Sequence, residues 1–199
     1  HEAVPSPEGN RSLEPQGYPE PGGLSRLVTH FGPGPEGPGG MSSALRAYAG
    51  LTLDGYRFQF VTTYDPPQPA HSLVPFLRAL GRLAVFPRAR FGITHFHLSK
   101  GGSFVREGML LLVARARGFQ ICATIHSGAF PDFMARHVTL VRTILSRADR
   151  VLVLSEPVRD LIQARLGIRD VMVLPNFIQP IPAGRNPAQC PPRVLFGGN

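Results

Sequence analysis

The hydrophobic positions along the chain follow two alternating patterns. Short segments rich in β-branched and aromatic residues, such as residues 56–64 and 119–127, are typical of buried strands. Between them lie longer segments in which apolar residues recur every three or four positions, as in amphipathic helices. The pattern predicts strands at 24–31, 56–64, 91–99, 119–127, 150–155 and 170–176, and helices at 41–53, 73–86, 102–118, 133–148 and 156–167.

Strands that alternate with helices in this way form right-handed βαβ units, which build a parallel sheet covered by helices on both faces. The predicted fold class is therefore α/β, a doubly wound Rossmann-like parallel sheet. The ends of the last helix support the assignment, since Pro157 stands in its first turn and Gly167 ends it.

The two ends of the chain differ from this core in composition. Residues 1–23 carry Pro, Gly, Glu and Ser with few aliphatic residues, which predicts a disordered tail. Residues 24–177 form the Rossmann-like domain, and the proline-rich residues 178–192 are predicted to be a linker. Residues 193–199 combine a strand pattern with a Gly-Gly turn, and we interpret them as the first strand of a second domain that is missing here.

Net charge, cysteine content and hydropathy indicate the kind of partner and the cellular compartment, but not the class of protein. The net charge of +8 comes almost wholly from arginine, Lys100 being the only lysine, which indicates either an anionic partner or a coding bias. Cys122 and Cys190 form neither a disulfide framework nor a metal knuckle, so a reducing compartment is the simpler interpretation. The chain shows neither a membrane-length apolar segment nor a secretory signal. We predict a cytoplasmic protein, at most peripheral to a membrane.

The loops that follow strands are where an open parallel sheet binds its ligands. Gly39 and Gly40 precede a helix, where backbone N–H groups can meet an anion, although a flexible low-complexity loop is an equal alternative. The GK[ST] sequence of a nucleotide-binding P-loop does not follow them, which argues against that class of site.

A second loop follows two histidines. His95 and His97, two positions apart on a strand, project to the same side and can hold a metal, contact substrate or simply be hydrogen-bonded. Since no cluster of Asp, Glu or Cys supplies further ligands at a recognisable spacing, we predict no metal site. Ser99, Gly102 and Ser103 then lead into a helix and form a second anion-friendly group, with Ser103 predicted as its N-cap.

Two further loops carry polar residues. His126 follows a buried strand beside Ser127 and Gly128, where it can donate to a substrate hydroxyl or to a backbone carbonyl. Ser155 is better explained as a helix N-cap than as a ligand contact. The sequence offers no Ser/His/Asp set, carboxylate pair or nucleic-acid recognition motif at a usable spacing, which argues against a hydrolase and a nucleic-acid partner.

Taken in order, five segments resemble the N-terminal domain of retaining family-4 glycosyltransferases, especially bacterial enzymes of surface-polysaccharide biosynthesis. These segments are GGMSSALRAY, THFHLSKGGSFVREG, TIHSGAF, ADRVLVLSEPVRDLI and VLPNFI. The resemblance covers about residues 24–199. It implies the N-terminal half of a GT-B fold, in which two Rossmann-like domains face each other across a cleft. It also implies a nucleotide-sugar as co-substrate, with no metal and no cofactor.

The resemblance assigns roles to three positions. His126 matches the histidine that hydrogen-bonds near the donor sugar, Gly40 the glycine loop close to the donor phosphate or acceptor, and Asn176 a strand end before the interdomain crossing. We therefore predict His126 as the catalytic residue. The predicted substrate-binding residues are Gly39, Gly40, His97, Ser99, Gly102, Ser103, Ser127, Gly128 and Asn176.

The predicted function is the acceptor-binding half of a glycosyltransferase that moves a hexose to a polysaccharide or lipid-linked acceptor. In the family it resembles, the residues that grip the donor diphosphate belong to the C-terminal domain, so we expect this chain alone to be inactive. The alternative is a non-catalytic acceptor-binding or membrane-recruiting subunit of a split glycosyltransferase. In either case we expect the arginines to hold an anionic lipid-linked acceptor at the membrane surface.

Overall fold

The computed structural model describes residues 26–64 and 73–176, and these residues form alternating strands and helices. The strands are β1 (Arg26–Pro33), β2 (Tyr56–Tyr64), β3 (Ile93–Leu98), β4 (Gln120–Ile125), β5 (Arg150–Val153) and β6 (Val171–Val173). The helices are α1 (Gly40–Ala49), α2 (Leu73–Val85), α3 (Gly102–Ala116), α4 (Phe130–Arg136), α5 (Val138–Leu145) and α6 (Glu156–Leu166), with a 3-10 turn at Arg88–Arg90. The predicted tail, linker and second-domain strand lie outside the described residues.

The six strands form one sheet in the order β2-β1-β3-β4-β5-β6, and every neighbouring pair is parallel. This arrangement confirms the predicted α/β, Rossmann-like fold. The strand order changes direction between β1 and β3, because the chain moves outward to β2 and then returns to the other side of β1. In an open parallel sheet, such a switch point leaves a crevice at the carboxyl ends of the two strands.

The neighbouring strands β1 and β3 carry different side chains on their two faces. Phe31 pairs with Phe96 across the strands, and their rings stack with centroids 4.8 Å apart within the hydrophobic core. His30 pairs with His95 on the opposite face, which α1 covers with Tyr48, whose ring centroid is 4.8 Å from that of His30. A buried parallel sheet normally carries apolar residues on both faces, so this histidine face is unusual.

One predicted helix is two helices in the structure. Residues 133–148 were expected to form a single helix, but α4 and α5 are separated at His137, whose backbone leaves the helical region at φ −132° and ψ 41°. The prediction was wrong because the apolar spacing continues across the break: Met134 of α4 and Val141 of α5, seven positions apart, are both buried. Periodicity alone does not show where such a helix is interrupted.

The helix caps confirm one prediction, confirm a second in part and correct a third. Gly167 ends α6 in the left-handed conformation at φ 71°, and Ser155 occupies the N-cap position of that helix, although its side chain makes no capping hydrogen bond. Ser103 is not an N-cap, because α3 begins one residue earlier, at Gly102, after the cap residue Gly101. The Ser103 hydroxyl instead donates to the buried Glu107 one turn later, at 3.1 Å.

None of the helices in the described part of the chain is both long enough and apolar enough to cross a bilayer.

Candidate active site

A cavity of about 930 Å³ lies at the carboxyl edge of the sheet, over the switch point between β1 and β3. The loops after β1, β3 and β4 and the first turns of α1 and α3 form its walls. Its lining residues are Pro33, Pro38, Gly39, Gly40, Met41, Ser42, Tyr64, Ser99, Lys100, Gly102, Ser103, Arg106, His126, Ser127, Gly128 and Ala129.

The structure brings most of the predicted site residues together in this cavity. Eight of the ten line it: Gly39, Gly40, Ser99, Gly102, Ser103, His126, Ser127 and Gly128. His97 lies beneath the wall, fully buried. Asn176 is apart from the others, in a small separate crevice that shares His126 as a wall residue. The geometry thus groups these residues, while their roles in binding stay predictions.

Glycines open the two helices that begin at the cavity. Gly39 before α1 and Gly101 before α3 have positive φ values of 98° and 59°, which side chains with a Cβ rarely adopt. A Cβ added at Gly40 or Gly102 would meet no atom within 4 Å, so the space beside both helix starts is open. A ligand can therefore approach the unpaired backbone N–H groups of the first turns.

The charges along the wall favour an anionic ligand. Lys100 and Arg106 line the cavity, and no carboxylate is among its lining residues in the described part of the chain. The first turns of α1 and α3 add the partial positive charge of their helix dipoles. Ser42 also lines the cavity, and its buried hydroxyl has no hydrogen-bond partner among the described residues.

Arg106 is held in place by a buried carboxylate that the sequence analysis missed. Glu107 is fully buried and pairs with Arg106 at 2.9 Å, while the hydroxyls of Thr63 and Ser103 donate to its two oxygens at 2.5 and 3.1 Å. Burial raises the pKa of Glu107 although the guanidinium and the hydroxyls favour its charged form. The Arg106 guanidinium also lies 4.7 Å from the ring centre of Tyr64. Ser103 and Glu107, four apart on one helix face, were the signal available in the sequence.

The most unusual feature of the site is a chain of histidines beneath it. His97 Nε2 lies 2.8 Å from His30 Nδ1, and His97 Nδ1 lies 2.8 Å from His126 Nε2. His95 is bonded separately, through Nε2 to the Thr124 hydroxyl at 2.6 Å.

Burial keeps these rings neutral, since it lowers the pKa of His30 and of His126 to about 4. It also lowers the pKa values of His95 and His97 well below the usual range, with neighbouring histidines as a secondary cause. Three of the four rings, His95, His97 and His126, were predicted from the sequence, whereas His30 was not, because it lies 67 positions from its partner His97.

The same rings raise the question of a metal. His30, His95 and His97 each offer a nitrogen, and these three atoms lie within 4.8 Å of one another. Tetrahedral coordination with metal–nitrogen bonds of about 2.1 Å holds nitrogens about 3.4 Å apart. The one separation of this size that is resolved within the triad, 2.8 Å between His30 Nδ1 and His97 Nε2, is shorter than that and is a hydrogen-bond distance, so these two rings are arranged as hydrogen-bond partners. The absence of a metal stays a prediction.

Comparison with known protein families gives a match over most of the chain. Residues 22–180 match the family model described as Glycosyltransferase Family 4. The matched range includes every residue that lines the cavity and the histidine chain below it. Among curated proteins, no significant match is found.

Proposed function

The chain belongs to Glycosyltransferase Family 4, and on that premise we propose that it is the acceptor-binding half of a retaining hexosyltransferase. The reaction class is glycosyl transfer, with a sugar donor and an acceptor as substrates. The donor that we propose is a nucleotide-sugar, used without a further cofactor. The acceptor that we propose is a surface polysaccharide under synthesis or a lipid-linked glycan. The compartment that we propose for the reaction is the cytoplasm.

The observation that carries this proposal is the cavity at the switch point. Glycosyl transfer needs an oriented acceptor hydroxyl and stabilisation of the departing diphosphate. The cationic wall of Lys100 and Arg106, with the helix starts at Gly40 and Gly102, supports binding of phosphate oxygens. His126 lines the same cavity, where a neutral imidazole can hydrogen-bond a sugar hydroxyl.

We propose that a second domain supplies the remaining donor contacts, so that this chain alone does not complete the reaction. The family resemblance supports this, because in the enzymes that the chain resembles the residues that grip the donor diphosphate belong to the C-terminal domain. The assay below therefore uses the natural protein that contains this sequence.

The test is transfer from a panel of nucleotide-sugars to glycan and lipid-linked acceptors. Wild-type protein is compared with Arg106→Gln, which removes the cation at the wall, and with Arg115→Gln, an exposed arginine on the same helix. We expect Arg106→Gln to raise the KM of a phosphate-bearing substrate about tenfold, because one charge-assisted hydrogen bond is lost. Arg115→Gln should leave this KM unchanged. If no donor supports transfer but the protein still binds an acceptor, the result would contradict the enzyme proposal and favour the non-catalytic subunit of a split glycosyltransferase.

A separate observation supports membrane recruitment. Helix α2 exposes Leu73, Val74 and Leu77, with about half of each side chain open to water, beside the exposed Arg78 and Arg82. Exposed apolar side chains next to arginines are typical of a helix that lies on the surface of an anionic bilayer.

We expect wild-type protein to sediment with phosphatidylglycerol vesicles and not with phosphatidylcholine vesicles. The double variant Arg78→Gln/Arg82→Gln should bind the anionic vesicles several-fold more weakly, whereas Arg136→Gln/Arg147→Gln, with equal charge loss elsewhere, should not. Association that persists unchanged at high salt would contradict an electrostatic membrane contact.

A further inference from the structure

A neutral imidazole carries one proton on one of its two nitrogens, and its neighbours decide which one. Within the chain of His30, His97 and His126, two pairs of nitrogens lie 2.8 Å apart, and each pair needs one proton between its atoms. His97 uses both of its nitrogens in these contacts. If all three rings are neutral, only two arrangements satisfy both contacts: every proton is donated toward the cavity, or every proton is donated away from it.

The inner end of the chain distinguishes the two arrangements. His30 Nε2 is buried, lies among the rings of Phe58 and Phe60, and has no hydrogen-bond partner among the described residues. Donation away from the cavity would place an N–H group at this atom, with nothing to accept it. Donation toward the cavity leaves a bare nitrogen there. Buried donors without an acceptor are rarer in proteins than unsatisfied acceptors.

We propose that His30 and His97 are positioning residues that hold His126 in the tautomer with its proton on Nδ1. In this arrangement His30 Nδ1 donates to His97 Nε2, and His97 Nδ1 donates to His126 Nε2. His126 Nε2 is thereby occupied as an acceptor. The Nδ1–H of His126, a residue of the cavity wall, is left free to donate a hydrogen bond to the class of ligand that offers an oxygen lone pair, such as a sugar hydroxyl.

Burial supports the same arrangement, because it lowers the pKa values of all three rings and keeps them neutral at physiological pH. A donor of this kind binds and orients an oxygen and does not accept a proton from it through the same atom. The contribution to sugar transfer rests on the proposed function, whereas the tautomer of His126 does not.

The direct test is long-range proton–nitrogen NMR of the ¹⁵N-labelled full chain, which reports which nitrogen of each histidine carries the proton. In wild type we expect a protonated Nδ1 and a bare Nε2 at His126, the reverse of which would overturn the proposal without any variant. His97→Phe removes the donor to His126, so both tautomers should then be populated. His95→Gln is the control, since His95 bonds Thr124 and lies outside the chain.

Variants of His97 and His30 test the roles of the two inner rings. An unchanged His126 tautomer in folded His97→Phe would show that His97 does not position it. His30→Phe should give a smaller change, because His97 keeps its contact to His126 but loses the partner that fixes its own proton. In the natural protein, if sugar transfer is found, we expect His97→Phe to lower kcat about two- to tenfold through the smaller competent population. Loss of the tautomer preference without loss of kcat would retain the positioning and reject its role in transfer.

Discussion

The two faces of β1 and β3 are formed by residues adjacent in sequence, yet one face is apolar and the other carries buried histidines. On one face Phe31 and Phe96 are fully buried and stack within the hydrophobic core. On the other face, one position away in each strand, His30 and His95 are almost as deeply buried but are surrounded by polar and aromatic partners. A strand sends successive side chains to opposite faces, so a single residue separates the two environments.

The two faces contribute differently to the free energy of folding and to the candidate site. The phenylalanine face follows the rule for buried parallel sheets and stabilises the domain through apolar burial. The histidine face buries polar rings at a cost, offset by the hydrogen bonds through His97 that reach the cavity at His126. The predictions below test this division, beginning with the largest effect.

The largest effect is expected on the phenylalanine face. Phe96→Ala should lower the free energy of unfolding by about 3–5 kcal/mol, because it leaves a cavity in the closely packed core. Phe86→Ala, at a partly exposed phenylalanine, should cost clearly less. Urea unfolding followed by circular dichroism measures both, and equal costs would contradict the central position of Phe96 in the core.

Acid should destabilise the histidine face selectively. The titratable side chains packed against His30 are Tyr48 of α1 and His95 and His97 of β3. His30 has a folded-state pKa of about 4 against an ordinary 6.5, so the unfolded chain takes up its proton first as the pH falls. The contribution of His30 to the free energy of unfolding should therefore decrease by about 3 kcal/mol between about pH 6.5 and about pH 4, and this contribution should level off below pH 4.

The variant His30→Phe should make this acid dependence shallower. Urea unfolding at about pH 7.5 and about pH 5 gives the two free energies for each protein. His137→Phe is the matched control, since that ring is exposed at the break between α4 and α5. An acid dependence of His30→Phe equal to that of wild type would mean that His30 is not buried in its neutral form.

A smaller effect compares one threonine on each face. Thr124→Val removes the hydroxyl that bonds His95 at 2.6 Å and leaves a buried ring nitrogen unpaired, which should cost about 1–3 kcal/mol. Thr94→Val, on the phenylalanine face, removes only a hydrogen bond to the backbone oxygen of Gln120 and should cost about 1 kcal/mol. Thermal or urea unfolding ranks the two, and the opposite order would contradict the dependence of His95 on Thr124.

The sequence predicted the fold well because the signals for strands and helices lie within short segments of the chain. Alternating periodicities identified the strands and helices, and parallel βαβ units follow from their order. Because loops after parallel strands meet at one edge of the sheet, most of the predicted site residues line one cavity there, while their roles stay predictions. Asn176 follows a strand as well, but β6 is at the far end of the sheet order, so it lies outside the main cavity.

What the sequence did not predict depends on pairing between distant segments. His30 meets His97 only because β1 and β3 are neighbours in a particular register, which no local pattern encodes. The environment of Glu107 likewise requires Thr63 of β2 to come beside α3. The break at His137 was missed because apolar spacing continues through it.

The most direct test of the central claim is the rate of sugar transfer by the natural protein carrying His126→Ala, with its folding measured on the same preparation. If the cavity is the transfer site and His126 its hydrogen-bond donor, kcat should fall about 100-fold or more while the protein stays folded. Transfer at the wild-type rate by folded His126→Ala would contradict the claim and move the chemistry away from the histidine chain.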